Sequence, residues 1–149
     1  MRKNFILVTN NHYFQQSIES SRIQFIRGTS LDVLLAARDA IHMGSDLLTH
    51  PLYGNLRPNR QPFRSILLQN PAQKERNFNT SAYLESVSRI EEAILLYRCY
   101  GSRLKAPESL TKATRKDYAF VDCELMRESL ALYGVLPKGL VLNFQNDYI

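Results

Sequence analysis

The chain of 149 residues is 44% hydrophobic and 22% charged, with a formal net charge of +5 at pH 7 and two cysteines. That length suits one domain able to bury roughly 70% of its unfolded surface without disulfide or metal support, and the composition excludes a disordered, collagen-like or disulfide-scaffolded chain. The first apolar run, residues 5–8, gives way at once to Thr9, Asn10, Asn11 and His12; it is too short for a secretory core, so a cytoplasmic location without a membrane partner is expected.

Residues 5–9 (FILVT) read as a buried strand ended by Asn10 and Asn11, either of which can cap a short helix whose Phe14 and Ile18 pack inward. Residues 22–26 form a second strand stopped by Gly28. Thr29 and Asp32 then have capping-box spacing, with Asp in place of the usual Glu or Gln, and open a helix running to about Met43 and ending at Gly44. At 100° per residue its core stripe contains Leu31, Leu34, Leu35 and Ile41, takes in Arg38 and His42, and has Asp39 at its margin. Residues 47–50 are the third strand and 65–69 the fourth, followed by an exposed linker over 71–79. A long helix starts near Thr80, carries the stripe Tyr83, Val87, Ile90, Ile94 and Tyr97, and stops before Gly101. After a polar connection at 101–114, the last helix begins near Thr114 or Arg115, shows Tyr118, Val121, Leu125 and Leu132 on one face, and ends at Gly134. In the tail, Leu140, Val141 and Leu142 offer an edge strand.

Strand, helix, strand, helix, strand is the order of an α/β fold: an open, mainly parallel sheet of four or five strands with helices on both faces and right-handed crossovers. The single domain, 1–149, divides into a motif-bearing strand half (1–70), two long covering helices (80–134) and a tail (135–149). Ligands of such sheets bind outside the carboxyl ends of the strands. Thr9, Asn10 and Asn11 after the first strand, and Thr49, His50 and Pro51 after the third, arrive at that edge.

Between the third and fourth strands, Pro51, Pro58 and Pro62 each fix φ near about −65° and stiffen the connection. The loop so framed presents Thr49, His50, Asn55, Arg57, Asn59 and Arg64 as ligand-binding candidates, with Arg60 assigned to the surface. From 57 to 76 five basic residues stand against one acid, which favours a small anion. Interleaved aromatics and nucleic-acid motifs are missing, so no nucleic-acid partner is expected. Arg38, Asp39 and His42 are expected to reach the same edge beside His50 and complete an anion-binding cluster. His50, held extended by the proline that follows, and His42 are the acid/base candidates. His12, His42 and His50 have no metal-ligand spacing, and Cys99 and Cys123 form no Cys-x-x-Cys pair, so neither a metal nor a cofactor is expected. Glycine-rich dinucleotide loops, Walker loops and Gly-x-Ser-x-Gly elbows do not occur.

One set of residues resembles a known family. It comprises Val8-Thr9-Asn10-Asn11, Asp32-Val33-Leu34, Arg38-Asp39, Ile41-His42, Gly44, Leu47-Leu48-Thr49-His50-Pro51-Leu52, Gly54, Pro58-Asn59, Pro62 and Ser65-Ile66. This pattern resembles the GrdX family, small proteins encoded with the glycine, sarcosine and betaine reductase components of amino-acid-fermenting bacteria. Ser45, Tyr53, Arg60-Gln61 and Phe63 depart from the family pattern. Because the reductase chemistry belongs to selenocysteine and thiol proteins, the resemblance implies an accessory role, with reductase components as partners. The expected function is therefore an accessory or regulatory protein that binds a small anion, or the acidic surface of a partner, at the strand edge. The alternative is a small enzyme acting on a carboxylate or phosphate compound, with His50 or His42 as acid/base and Arg57 or Arg64 as anion clamp. A third reading, an interaction module, requires the stripe on the first long helix to be exposed. Oligomeric state is left open by the sequence.

Overall fold

The computed structural model describes residues 4–70 and 80–136. Four strands, β1 (Phe5–Thr9), β2 (Ile23–Phe25), β3 (Asp46–Leu47) and β4 (Ser65–Gln69), form one sheet in the order β2-β1-β4-β3. Three α-helices, α1 (Ser30–His42), α2 (Thr80–Tyr100) and α3 (Lys112–Leu132), cover it. The α/β class and the helices on both faces are as expected, but the sheet is mixed rather than mainly parallel. Only β1 and β2 pair in parallel, whereas β4 is antiparallel to both β1 and β3. The physical reason lies between β3 and β4. A parallel crossover needs a long connection that is usually helical, and the described chain there holds only a 3-10 turn at Pro58–Arg60, so it returns as a long antiparallel hairpin.

Strand alternation separates two cores. Phe5, Leu7 and Leu67 point to one face, where they meet Phe14, Ala119, Cys123, Met126 and Leu130. Val8, Ile66 and Leu68 point to the other, against Val33, Leu34 and Ile41 of α1 and Ile90 and Ile94 of α2. Burial on both sides explains why β1 and β4 read as continuous apolar runs rather than as alternating ones.

The expected caps are present. Asn11 accepts a hydrogen bond from the Tyr13 backbone and caps a 3-10 turn at His12–Gln16, and Thr29 with Asp32 makes the capping box at the start of α1. β2 and β3 are shorter than expected. Leu48 N–H still donates to Leu67 O, but the Leu67 N–H then donates to the Thr49 hydroxyl at 3.2 Å; a side chain replaces the backbone acceptor, and the ladder ends before His50.

Two helix faces differ from their sequence periodicities. On α1 the buried residues are Ser30, Val33, Leu34, Ala37 and Ile41, while Arg38 is half-buried and Asp39 and His42 are exposed. On α3 the buried residues are Arg115, Ala119, Asp122, Cys123, Met126 and Leu130. Val121, Leu125 and Leu132 face outward, Leu132 being 79% exposed. The helix has two apolar stripes, and the one bearing small Ala119 and Cys123 allows close approach to the sheet. It also carries Asp122, whose burial is supported by the hydrogen bonds described below. The α2 stripe is covered as a core face should be: Ile90, Ile94 and Tyr97 are buried, with Tyr83 and Val87 packed at its edge, so it offers no open docking surface. The linker at 71–79 and the expected strand at 140–142 lie outside the described residues. Among the described residues no helix is long and apolar enough to cross a membrane.

The assignment of the α3 faces has a direct test. Met126→Ala is expected to lower unfolding free energy by about 2–5 kcal/mol through lost burial and a residual cavity, whereas Leu132→Ala should change it by less than about 0.5 kcal/mol. Urea denaturation of both variants measures the contrast.

Candidate functional site: a latched loop and a cationic cleft

The carboxyl end of β1 and the amino end of β4 lie side by side, with Thr9 opposite Ser65. Both side chains point toward α3, where they meet Asp122. Ser65 Oγ donates to Asp122 Oδ2 at 2.8 Å and lies 2.7 Å from Thr9 Oγ1. Since the single Ser65 hydroxyl proton is committed to the carboxylate, Thr9 is the donor in their contact. Thr9 Oγ1 in turn accepts from Asn11 N at 2.9 Å. Asn11 Nδ2 adds a donor to Asp122 Oδ2 at 3.0 Å, and the Tyr53 hydroxyl donates to Oδ1. The carboxylate, 4% exposed as a residue, thus receives three donors from three separate segments.

Tyr53 links this network to the other face of the sheet. Its hydroxyl accepts from Ser65 N at 2.6 Å, and its ring lies against Arg64, whose guanidinium carbon is 4.1 Å from the ring centroid. Arg64 is 1% exposed. Its Nη1 donates to the carbonyls of Pro51 and Tyr53, both at 3.0 Å, which fastens the start of the long loop to its end. Asn10 completes the latch: Arg64 N donates to its Oδ1 at 2.9 Å, and its Nδ2 donates to Pro62 O at 2.8 Å and to Gly28 O at 3.1 Å. The loop also presses on α3 at Gly54, whose φ is +86° and where an added Cβ would lie 2.6 Å from Leu125 Cδ1. Glycine is required there both for the left-handed backbone and for the close approach.

The candidates from the sequence therefore separate into four groups. Thr9, Asn10, Asn11, Thr49 and Arg64 come together, but as the buried frame that holds the loop. Asn59 lines the cleft described below. His50, Asn55 and Arg57 are exposed on the loop; His50 Nδ1 accepts from Leu52 N at 3.0 Å, and Asn55 has a left-handed φ of 50°. Arg38, Asp39 and His42 do not join His50. The amino end of α1 is at the Asn10 rim through Gly28, and its carboxyl end leads to Asp46, which pairs with Gln69 beside Phe5 at the opposite end of the sheet. Arg38 pairs with neighbouring Asp39 at 3.5 Å instead.

Beyond the latch, the outer side of the loop walls an open cleft of about 540 Å³ against the connection between α2 and α3. Three cations line it, Arg60 from the loop and Arg103 and Lys105 from the connection, together with Asn59, Ser102 and Thr114. Its apolar surface comes from Pro62, Leu110 and Tyr118, and no acidic side chain lines it. Among the described residues none of the three cations makes a side-chain ion pair or hydrogen bond; Arg103 stacks on Tyr100, 4.5 Å from the ring centroid. A small recess of about 10 Å³ shares Arg60, Pro62 and Tyr118 with the cleft and reaches Asp122.

Sequence reasoning missed Asp122, Tyr53, Arg103 and Lys105. The available signal for Asp122 was its spacing from Ala119 and Met126, three before and four after, which places it on a potential core face. The chemistry of the buried group is architectural. Ser65 is fully buried, and its hydroxyl proton is committed to the Asp122 carboxylate at 2.8 Å. Burial, then Asp122, raises the Cys123 thiol pKa, which keeps it protonated and unreactive. Among the described residues no three His, Cys, Asp or Glu side chains gather as a metal set.

A three-layer α/β/α protein whose long loop is latched to the sheet rim, with a cationic cleft on the loop's outer side, is the class that these features define. The sequence profile of the GrdX-like protein family matches residues 6–131, and the chain belongs to that family. No curated protein and no solved structure matches the chain.

The latch predicts an alkaline weakness. Burial first, and then Asp122, raises the Tyr53 pKa well above its ordinary 10.0, while Arg64 opposes the shift. A raised folded pKa contributes stability that is complete below the unfolded value and is lost as pH climbs toward the folded one. The Tyr53 contribution to unfolding free energy should therefore be independent of pH below about pH 10 and fall above it. Tyr53→Phe should cost about 1–3 kcal/mol at neutral pH by leaving the Ser65 N–H unpaired, and should flatten the alkaline decline. Denaturation curves between pH 7 and 11.5 measure both effects.

Proposed function

We propose that this GrdX-like protein is a non-catalytic accessory protein that binds a small anionic ligand in the cleft at the carboxyl rim of β1. One observation carries the reading: Arg60, Arg103 and Lys105 line one cleft that no acidic side chain lines, and they make no side-chain ion pair among the described residues. Like charges gathered without counter-charge raise the local potential and attract an anion. The two guanidinium groups suit carboxylate or phosphate oxygens, to which they can donate paired hydrogen bonds. The latch supports the same reading, because Asn10 and Arg64 hold Pro62 and the loop wall in place before any ligand arrives.

A histidine-based enzyme draws less support. The exposed His50 already uses Nδ1 to hold the Leu52 backbone, and His42 is at the other end of the sheet. The association with reductases rests on family membership, and it makes an acidic surface of a reductase component a second occupant for the same cations.

Calorimetric titration of the full chain with phosphate, sulfate, citrate and succinate tests the proposal. At least one anion is expected to bind, with affinity falling about tenfold or more in Arg60→Ala and in Arg103→Ala, as expected for a lost charged hydrogen bond, and falling with added salt. Absence of binding by all four, or binding that neither variant weakens, would contradict it.

A further inference from the structure

We infer that the ligand is an organic phosphomonoester, whose phosphate lies among Arg60, Arg103 and Lys105 and whose carbon body lies against Tyr118. This rests on the anion-binding reading and makes it more specific. Charge comes first. Three cations with no lining acid are poorly matched by a single carboxylate, whereas a phosphomonoester brings about −1.5 to −2 at pH 7 and three acceptor oxygens. Two guanidinium forks and one ammonium supply donors to three oxygens, and the Asn59 amide and the hydroxyls of Ser102 and Thr114 add neutral ones.

Size and lining decide the rest. About 540 Å³ falls within the range of roughly 300–1,000 Å³ typical of sites for organic ligands, so inorganic phosphate alone would leave most of it to water. The remaining wall is Pro62, Leu110 and Tyr118, an apolar surface that rewards a ring or carbon frame attached to the phosphate. Tyr118 is half-buried, and its ring can take a planar group by stacking. The cations come from two segments, Arg60 from the loop and Arg103 and Lys105 from the connection, so a phosphate held by all three would tie the loop to the connection.

Calorimetry at constant ionic strength with inorganic phosphate, ribose 5-phosphate, AMP and adenosine is the test. The expected order is AMP tighter than ribose 5-phosphate and at least tenfold tighter than inorganic phosphate, with adenosine giving no measurable heat. Tyr118→Ala and Leu110→Ala should each remove most of the gain of AMP over phosphate while leaving phosphate affinity within twofold, and Arg103→Ala should weaken all three phosphates. Leu110 is in the connection, so its variant serves if Tyr118→Ala does not fold. Equal affinities for AMP, ribose 5-phosphate and inorganic phosphate, or binding of citrate or succinate without any phosphate, would overturn this inference and leave the anion reading standing. Absence of binding by every anion would overturn both.

Discussion

The structure depends on how a buried carboxylate is satisfied. Removing a carboxylate from water costs several kcal/mol unless donors replace the lost hydration, and Asp122 obtains them from Tyr53, Ser65 and Asn11. Those residues belong to the long loop, to β4 and to the turn after β1. The carboxylate is fully paired only when α3, the sheet and the loop have all assembled, which makes one polar group a check on the whole arrangement. Arg64, on the other side of the Tyr53 ring, extends this order to the α2 face, where its guanidinium also lies 5.7 Å from the ring centroid of Tyr97.

This interior chemistry explains the exterior. A loop carrying two exposed cations, Arg57 and Arg60, would ordinarily pay for any ligand binding with its own ordering, but here its polar and apolar anchors are already buried. Pro58, Gln61, Pro62, Phe63 and Arg64 are all buried, while Asn59 and Arg60 remain outside at the cleft. Buried members of the segment fix the backbone, and exposed members line the proposed binding cleft. The division accounts for why many of the polar residues that looked like a site, Thr9, Asn10, Asn11 and Arg64 among them, are instead the buried frame beneath the proposed cleft.

Local signals were legible and relational ones were not. β4, the Asn11 cap and the Thr29–Asp32 box follow from a few adjacent residues. The sheet direction was misread although its signal was present, since nothing between Leu48 and Arg64 has a helical period. The α3 face was ambiguous in principle. Both Tyr118-Val121-Leu125-Leu132 and Ala119-Cys123-Met126-Leu130 are apolar stripes, and the choice depends on partners elsewhere in the chain for Asp122. Arg60 is separated from Arg103 and Lys105 by the whole of α2, so no spacing rule joins them. Arg38 and His42 were drawn to the wrong rim because a stripe of 100° per residue gives a face but not the end of the sheet at which that face terminates.

Backbone amides whose acceptors are side chains report most directly on the latch. Arg64 N–H donates to Asn10, Ser65 N–H to Tyr53 and Leu67 N–H to Thr49. Hydrogen exchange followed by NMR should find all three as protected as the central amides of β1, and replacement of Tyr53 by Phe should speed exchange selectively at Ser65. Exchange of Arg64 and Ser65 in the parent protein at the rate of an exposed loop would contradict the account.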